Sequence, residues 1–292
     1  MQALHTADDL PLHLRRWSVA GAAHGTVLIV HGLGEHVGRY QALAMRLNAA
    51  RWHVVGHDHR GHGASGGARG ALAAPDSLLA DLALVIDAVA QEPPTPLVLL
   101  GHSLGGLVAA RFVAEGLAAR PAPWWRPVQA LMLSSPALDP GMNAAQRLLL
   151  AVLGPLAPNL AVGNGLDPEW ISREPAVVAA YRSDPLVHDR VTPRLARFIV
   201  DAGEQVRALA ARWTVPTLLQ WAGADRCVAP RGSAAFAAAA PQAVVTALRY
   251  PHLAHEIFNE PERDLVIGDL LRWLADVRGT PAPVATPLHG NA

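Results

Sequence analysis

The chain contains no lysine: all 24 of its basic residues are arginine, balanced by 24 acidic ones. With a formal net charge of zero and no basic run, it lacks the concentrated positive footprint that nucleic-acid binding needs. We read the missing lysine as GC-rich codon usage and attach no function to it. Cysteine is almost missing too. Cys227 stands alone, which excludes an intrachain disulfide and gives no sign of an oxidising compartment. No stretch of about 18 uncharged apolar residues reads as a membrane span; the nearest, 148–160, is short and interrupted by Pro155 and Pro158. The first 30 residues carry Asp8, Asp9, Arg15 and Arg16 and no apolar run resembling a signal peptide. The expected setting is the cytoplasm.

What is present is material for a core: 51% of the 292 residues are hydrophobic and only 16% are charged. Strand-like apolar runs alternate with amphipathic helical stretches, the pattern of a mostly parallel sheet with helices on both faces. Strands are expected at 12–19, 26–30, 53–56, 97–100, 129–134, 215–221 and 243–250. Helices are expected at 39–50, at 77–91 with Ser77 as its cap, over three turns from Ser103, and at 262–277. Residues 138–212 break the alternation with prolines at 140, 155, 158, 168, 175, 185 and 193. That gap is too long for an ordinary connection, so a helical insertion is expected there. The domain reading is a core in two parts, 1–137 and 213–278, an insertion at 138–212, and a disordered Pro-rich tail at 279–292.

The stretch PLVLLGHSLGGLVAARFVAEG carries the chemistry. An apolar strand runs to Leu100, and helical spacing then sets Leu104, Leu107, Val108, Arg111 and Phe112 over three turns. G-x-S-x-G lies between them, the context of a nucleophile elbow, with Ser103 on a sharp turn at a helix N-terminus. A serine hydroxyl needs a base, best a histidine held in one tautomer by a carboxylate. In an elbow-type sheet these follow in the order serine, acid, histidine at the C-terminal ends of strands. Asp225 follows the strand at 215–221, a placement that Asp87, Asp139 and Asp201 lack. Two histidines follow the last strand, His252 and His255; His255 is preferred because it opens the segment leading to the final helix. Acyl transfer also needs oxyanion donors. The backbone N–H of Leu104 is one; the loop HGLGEHVGRY offers the other, that of Leu33 between two glycines.

HGLGEHVGRY, HDHRGHGASGGARG, GHSLGG, GADRCVAP and LAHEIFNE, in this order from residue 31 to 260, together resemble the monoacylglycerol lipase branch of the α/β-hydrolase fold, also grouped with bacterial lysophospholipases. The resemblance implies that fold, a triad of Ser103, Asp225 and His255, and oxyanion amides at Leu33 and Leu104. It implies that the insertion is a mobile cap over the acyl pocket, with 183–195 returning to the core. No cofactor and no metal are called for. HDHRGHG has three histidines and an aspartate, but its glycines and the resemblance favour a rigid turn with Asp58 and Arg60 in local hydrogen bonds over a metal site. Cys227, two residues past Asp225, reads as a small buried hydrophobe, with modification as the alternative.

Residues 142–166 hold one charge, Arg147, in an apolar field. On a cap they could line an acyl tunnel and present a surface for transient contact with micelles or membranes. The function expected is hydrolysis of a lipid-like acyl ester, most simply a monoacylglycerol. A lysophospholipase or general carboxylesterase is the alternative, and outside enzymes a ligand-binding scaffold on the same fold.

Overall fold

The computed structural model describes residues 4–90 and 96–277. A short antiparallel pair, β1 (Leu4–His5) and β2 (Pro11–Leu12), precedes β3 (Leu14–Trp17), so the expected 12–19 strand is divided near His13. Next come β4 (Thr26–Val30), α1 (Gln41–Ala49), β5 (His53–His57), α2 (Ser77–Ala90), β6 (Leu97–His102), α3 (Leu104–Glu115) and β7 (Ala130–Ser134). The segment after β7 carries α4 (Ala144–Leu156), β8 (Val162–Gly163), α5 (Pro175–Ser183), β9 (Arg190–Val191) and α6 (Pro193–Leu209). The chain then forms β10 (Thr217–Ala222), α7 (Pro230–Ala239), β11 (Val245–Tyr250) and α8 (Arg263–Val277).

Seven strands form one sheet in the order β11-β10-β7-β6-β4-β5-β3, parallel except for β3. The inner strands β4, β6 and β7 are buried along their whole length because both faces are covered there, whereas the edge strands β3 and β11 carry exposed polar residues. Alternate residues serve opposite faces. Leu97 and Leu99 of β6 join the core beneath α2, α3 and α6, whereas Val98 and Leu100 join the core beneath α1 and α8. From β4 the chain steps outward to β5 and then returns to place β6 on β4's other side. Loops leaving β4 and β6 therefore diverge and open a crevice at the strands' C-terminal ends, the preferred ligand position in such sheets.

Ser77 departs from expectation. Its hydroxyl accepts a hydrogen bond from the Ala74 N–H at 2.9 Å, bracing the chain before α2, and Ser77 is the helix's first residue. The 138–212 segment is not uniform. Leu195, Phe198, Ala202 and Val206 of α6 belong to the main core, and α6 packs on α3. In contrast, α4 rests on α6 and buries only Leu150. Among the described residues no helix is long and apolar enough to cross a membrane. The proposed tail at 279–292 lies outside the described residues, as does Gln91 at the expected end of α2.

Candidate active site

Ser103 joins β6 to α3 with φ 53° and ψ −118°, a backbone that an L-residue holds only when its surroundings enforce it. Three bonds do so. Ser103 N–H donates to the Ser134 carbonyl at 3.0 Å, and the Ser103 carbonyl accepts from Leu107 at 3.0 Å and Ala137 at 2.9 Å. Gly105 is required by space, since a Cβ there would run into the Val30 carbonyl oxygen. Leu104 is the first residue of α3, so its N–H lies in the turn whose donors have no acceptor within the helix.

Asp225 lies in the turn after β10, and its carboxylate is fixed on both oxygens. Oδ1 accepts from the N–H groups of Cys227 at 2.8 Å and Val228 at 3.0 Å; Oδ2 meets His255 Nδ1 at 2.7 Å. The two side chains are only 2% and 6% exposed. Because the carboxylate can only accept, the ring proton sits on Nδ1 and leaves Nε2 as an acceptor. Burial pulls the pKa of His255 down, but the charge and hydrogen bond of Asp225 outweigh it, and the net direction is up. His252 is exposed, so the structure distinguishes the two candidates. His102 packs on His255 with ring centroids 4.7 Å apart; burial, then the neighbouring His255, push it down to about 4, so it stays neutral at pH 7.

The loop after β4 comes close to this group. A Cβ on Gly32 would lie 3.2 Å from the Ser103 Cβ, and Leu33 lines the same cavity as Ser103 and His255. Gly34 turns with φ 76°, where a Cβ would strike the His188 carbonyl. Thus all five residues expected from sequence, Ser103, Asp225, His255, Leu33 and Leu104, gather at one end of the sheet.

The supporting residues were not anticipated. Glu35 accepts from Gly32 N–H at 2.6 Å, Tyr40 OH at 2.7 Å and Arg39 at 2.7 Å. Arg39 also grips Glu256 through two bonds of 2.6 and 2.8 Å, tying the glycine loop to the residue after His255. Burial would favour a protonated Glu35, but the Arg39 charge and these hydrogen bonds hold its pKa below the usual value. Glu260 is fully buried and gathers Ala254 N–H, Arg173 and Ser172 around the histidine loop. The 164–189 segment is fastened over the cavity by His36 Nε2 to Asp184 at 2.8 Å and His188 N–H to the Gly34 carbonyl at 2.9 Å.

HDHRGHG forms a turn, and only part of its hydrogen bonding is local. Asp58 accepts locally from the Ala64 N–H but also from Val37, 21 residues away, and Arg60 reaches the distant Asp8 and Asp81. His59 N–H donates to His31 Nε2 at 2.9 Å, which leaves His31 Nδ1–H to donate to the Gly32 carbonyl at 2.8 Å. The histidine turn therefore braces the glycine loop. Among the described residues one set of metal-ligand side chains converges, and it is Asp225, Cys227 and His255. Cys227 is buried, and burial first, then nearby carboxylates, push its thiol far above its usual pKa, the opposite of a reactive cysteine.

A cavity of about 360 Å³ opens over Ser103 and His255. Its far wall comes from 164–189, including Leu166, Ile171, Tyr181 and Val187. Here the 142–166 expectation needs correction: only Asn164 and Leu166 of that stretch reach the cavity. Leu148, Leu149 and Leu156 of α4 instead face solvent at 68%, 57% and 77% exposure, since α4 lies on α6 and away from the cavity.

Fold and site define a hydrolase of the α/β-hydrolase class that acts on esters. The family model described as serine aminopeptidase, S33, matches residues 21–262, and the chain belongs to that family. It is 36% identical over 266 residues to a monoacylglycerol lipase of Mycolicibacterium smegmatis, covering 88% of this chain and 90% of the relative. It is 31% identical to phospholipase YtpA of Bacillus subtilis, over 82% and 90% of the two chains. The crystal structure of a Paleococcus ferrophilus monoacylglycerol lipase superposes with a TM-score of 0.79 at 33% identity, covering 91% of this chain and 99% of that one.

Proposed function

We propose that the chain hydrolyses monoacylglycerols to fatty acid and glycerol through an acyl-enzyme on Ser103. Ser103 Oγ attacks the ester carbonyl while His255 Nε2 takes its proton, and the oxyanion is held by the N–H groups of Leu33 and Leu104. His255 then protonates the departing glycerol. Water enters and attacks the acyl carbonyl as His255 takes its proton; His255 then returns a proton to Ser103 Oγ as the fatty acid leaves. Asp225 keeps the imidazole oriented and stabilises its charged form. Residues 164–189, within the insertion proposed at 138–212, act as the cap over the reacting ester.

The choice of an uncharged head group rests on the cavity wall. Five acidic residues, Glu35, Asp167, Asp184, Asp189 and Glu256, line the space beside one arginine, Arg182, which is paired with Glu169 at 2.8 Å, while Asp184 is paired with His36 and Asp189 with Arg190. Arg39 is held between Glu35 and Glu256. Among the described lining residues every arginine is already paired, so a phosphate finds no dedicated cation, whereas glycerol hydroxyls find acceptors. The cavity's about 360 Å³ lies at the lower end of the roughly 300–1,000 Å³ range of small-molecule sites, which suits a single-chain ester. The exposed leucines of α4 supply the surface for transient contact with a micelle or bilayer, where such substrates reside.

Esters of one acyl chain with glycerol, glycerophosphocholine or p-nitrophenol test the reading. The glycerol ester is expected to exceed the glycerophosphocholine ester in kcat/KM by about tenfold or more, a difference of ~1.4 kcal/mol. The reverse order would make the chain a lysophospholipase, the reading favoured by its likeness to phospholipase YtpA.

A further inference from the structure

The thiol of Cys227 is buried and lies beside the acid and base of the site. Potential ligand atoms of Asp225, Cys227 and His255 all fall within 4.8 Å of one another. This closeness is built into the turn after β10. The Cys227 N–H is bonded to Asp225 Oδ1 at 2.8 Å, which pins the thiol two residues from the carboxylate. Ile171 and Val178 pack on it from the cap side, and it borders the cavity through which a solute would reach it. Thiolate, imidazole and carboxylate together suit a borderline or soft divalent cation, not magnesium or calcium.

We propose that Asp225, Cys227 and His255 form an inhibitory site for Zn2+ or Cd2+, in which the cation replaces the proton shared by the acid and base. A tetrahedral zinc ion holds nitrogen and oxygen ligands about 3.3 Å apart and sulfur and nitrogen about 3.5 Å apart. The 2.7 Å Nδ1–Oδ2 pair therefore has to open by about 0.6 Å, and the sulfur, within 4.8 Å of the other ligand atoms, has to close by up to about 1.3 Å. Asp225 Oδ1 keeps its two backbone donors while Oδ2 turns to the metal. The proton balance is simple. Cys227 releases its S–H proton to solvent as the metal–sulfur bond forms. The His255 proton moves from Nδ1 to Nε2, so that Nδ1 can donate its lone pair to the cation.

Inhibition follows from that tautomer. With Nε2 protonated, His255 has no lone pair to accept the Ser103 proton, so the serine loses its base even if the cavity stays open. This part rests on the proposed role of His255; the metal site itself does not. Burial that keeps the thiol protonated in the free protein is overcome only when a cation takes the proton's place.

The single cysteine makes the test specific, because any cadmium–thiolate charge-transfer absorption of the protein reports Cys227. CdCl2 is titrated into the full chain and into the Ser103→Ala and Cys227→Ala variants. Absorption is recorded for all three proteins, and hydrolysis of a soluble p-nitrophenyl ester for the unmodified protein and Cys227→Ala, each activity expressed relative to the same protein without metal. The band is expected in the first two proteins and not in Cys227→Ala. Inhibition of the unmodified protein should reverse with a chelator, and its inhibition constant should rise about tenfold or more in Cys227→Ala, as loss of a ligand demands. No band at saturating cadmium, or equal inhibition of Cys227→Ala, overturns the site. A band without inhibition overturns the inhibitory role and places the fault with the task given to His255.

Discussion

Helices α3 and α4 have 12 and 13 residues and similar apolar content, yet they meet opposite surroundings. Ten residues of α3 are buried, because the sheet lies beneath it and α2 and α6 flank it. Only Leu150 of α4 is buried, because α6 covers one side and solvent the rest. A helix apolar all round is stable inside a protein; on its outside the same composition asks for another apolar phase. The contrast separates two tasks. In the proposed reading, the α3 end holds the reacting groups still and the α4 surface meets the lipid.

The contrast breaks hardest at Phe112, which is fully buried in α3. Phe112→Ala is expected to cost about 3–5 kcal/mol in urea unfolding; a loss under about 1 kcal/mol would mean that α3 is not the packed element described. Next is Arg39, 11% exposed between two buried carboxylates. Arg39→Met leaves Glu35 and Glu256 without a counter-charge, and about 3 kcal/mol of stability should go. Its kcat should fall as well, because both the glycine loop and the histidine loop lose their tie.

Acid tests the same end by another route. Burial pushes His57 down to about 4, His62 to about 3 and His102 to about 4. The unfolded chain takes up these protons near pH 6.5 and the folded protein does not, so stability falls as pH drops from about 6.5 towards 4. His255, whose pKa is raised, runs the other way, adding stability at low pH that is lost as pH rises through its folded value. Three groups outweigh one, and Tm is expected to be at least about 5 °C lower at pH 5 than at pH 7 by calorimetry. An unchanged Tm would show that the histidine cluster is hydrated.

The smallest effect on stability is expected at α4. Replacing Leu148, Leu149 and Leu156 by serine should change stability by no more than about 0.5 kcal/mol per site. Turnover of monoacylglycerol in vesicles should nevertheless fall about tenfold, as apolar contact with the bilayer is lost. Hydrolysis of a soluble short-chain ester should not change. Equal loss on both substrates would remove the division of labour between the two helices.

Much of the site was legible in the sequence because elbow chemistry is local. Gly101, Ser103 and Gly105 announce their turn by spacing, and the strand-end rule finds Asp225 and His255 without any contact being known. Side chains that steady these groups obey no such rule. Arg39 and Glu256 are 217 residues apart, and His36 and Asp184 are 148 apart, so neither pairing leaves a pattern in one sequence. The excess of apolar residues at 142–166 was visible, but composition does not say which way a helix faces. At Ser77 the sequence is ambiguous because a serine before an apolar run can serve the turn behind it as readily as the helix ahead.

The decisive measurement is fluorophosphonate labelling of the folded full chain, with the modified peptide identified by mass spectrometry. One equivalent is expected on Ser103, none in Ser103→Ala, and slow labelling in His255→Ala, whose serine has lost its base. Folded protein that fails to label, or labelling that persists in Ser103→Ala, would contradict the assignment of this site as a serine hydrolase centre.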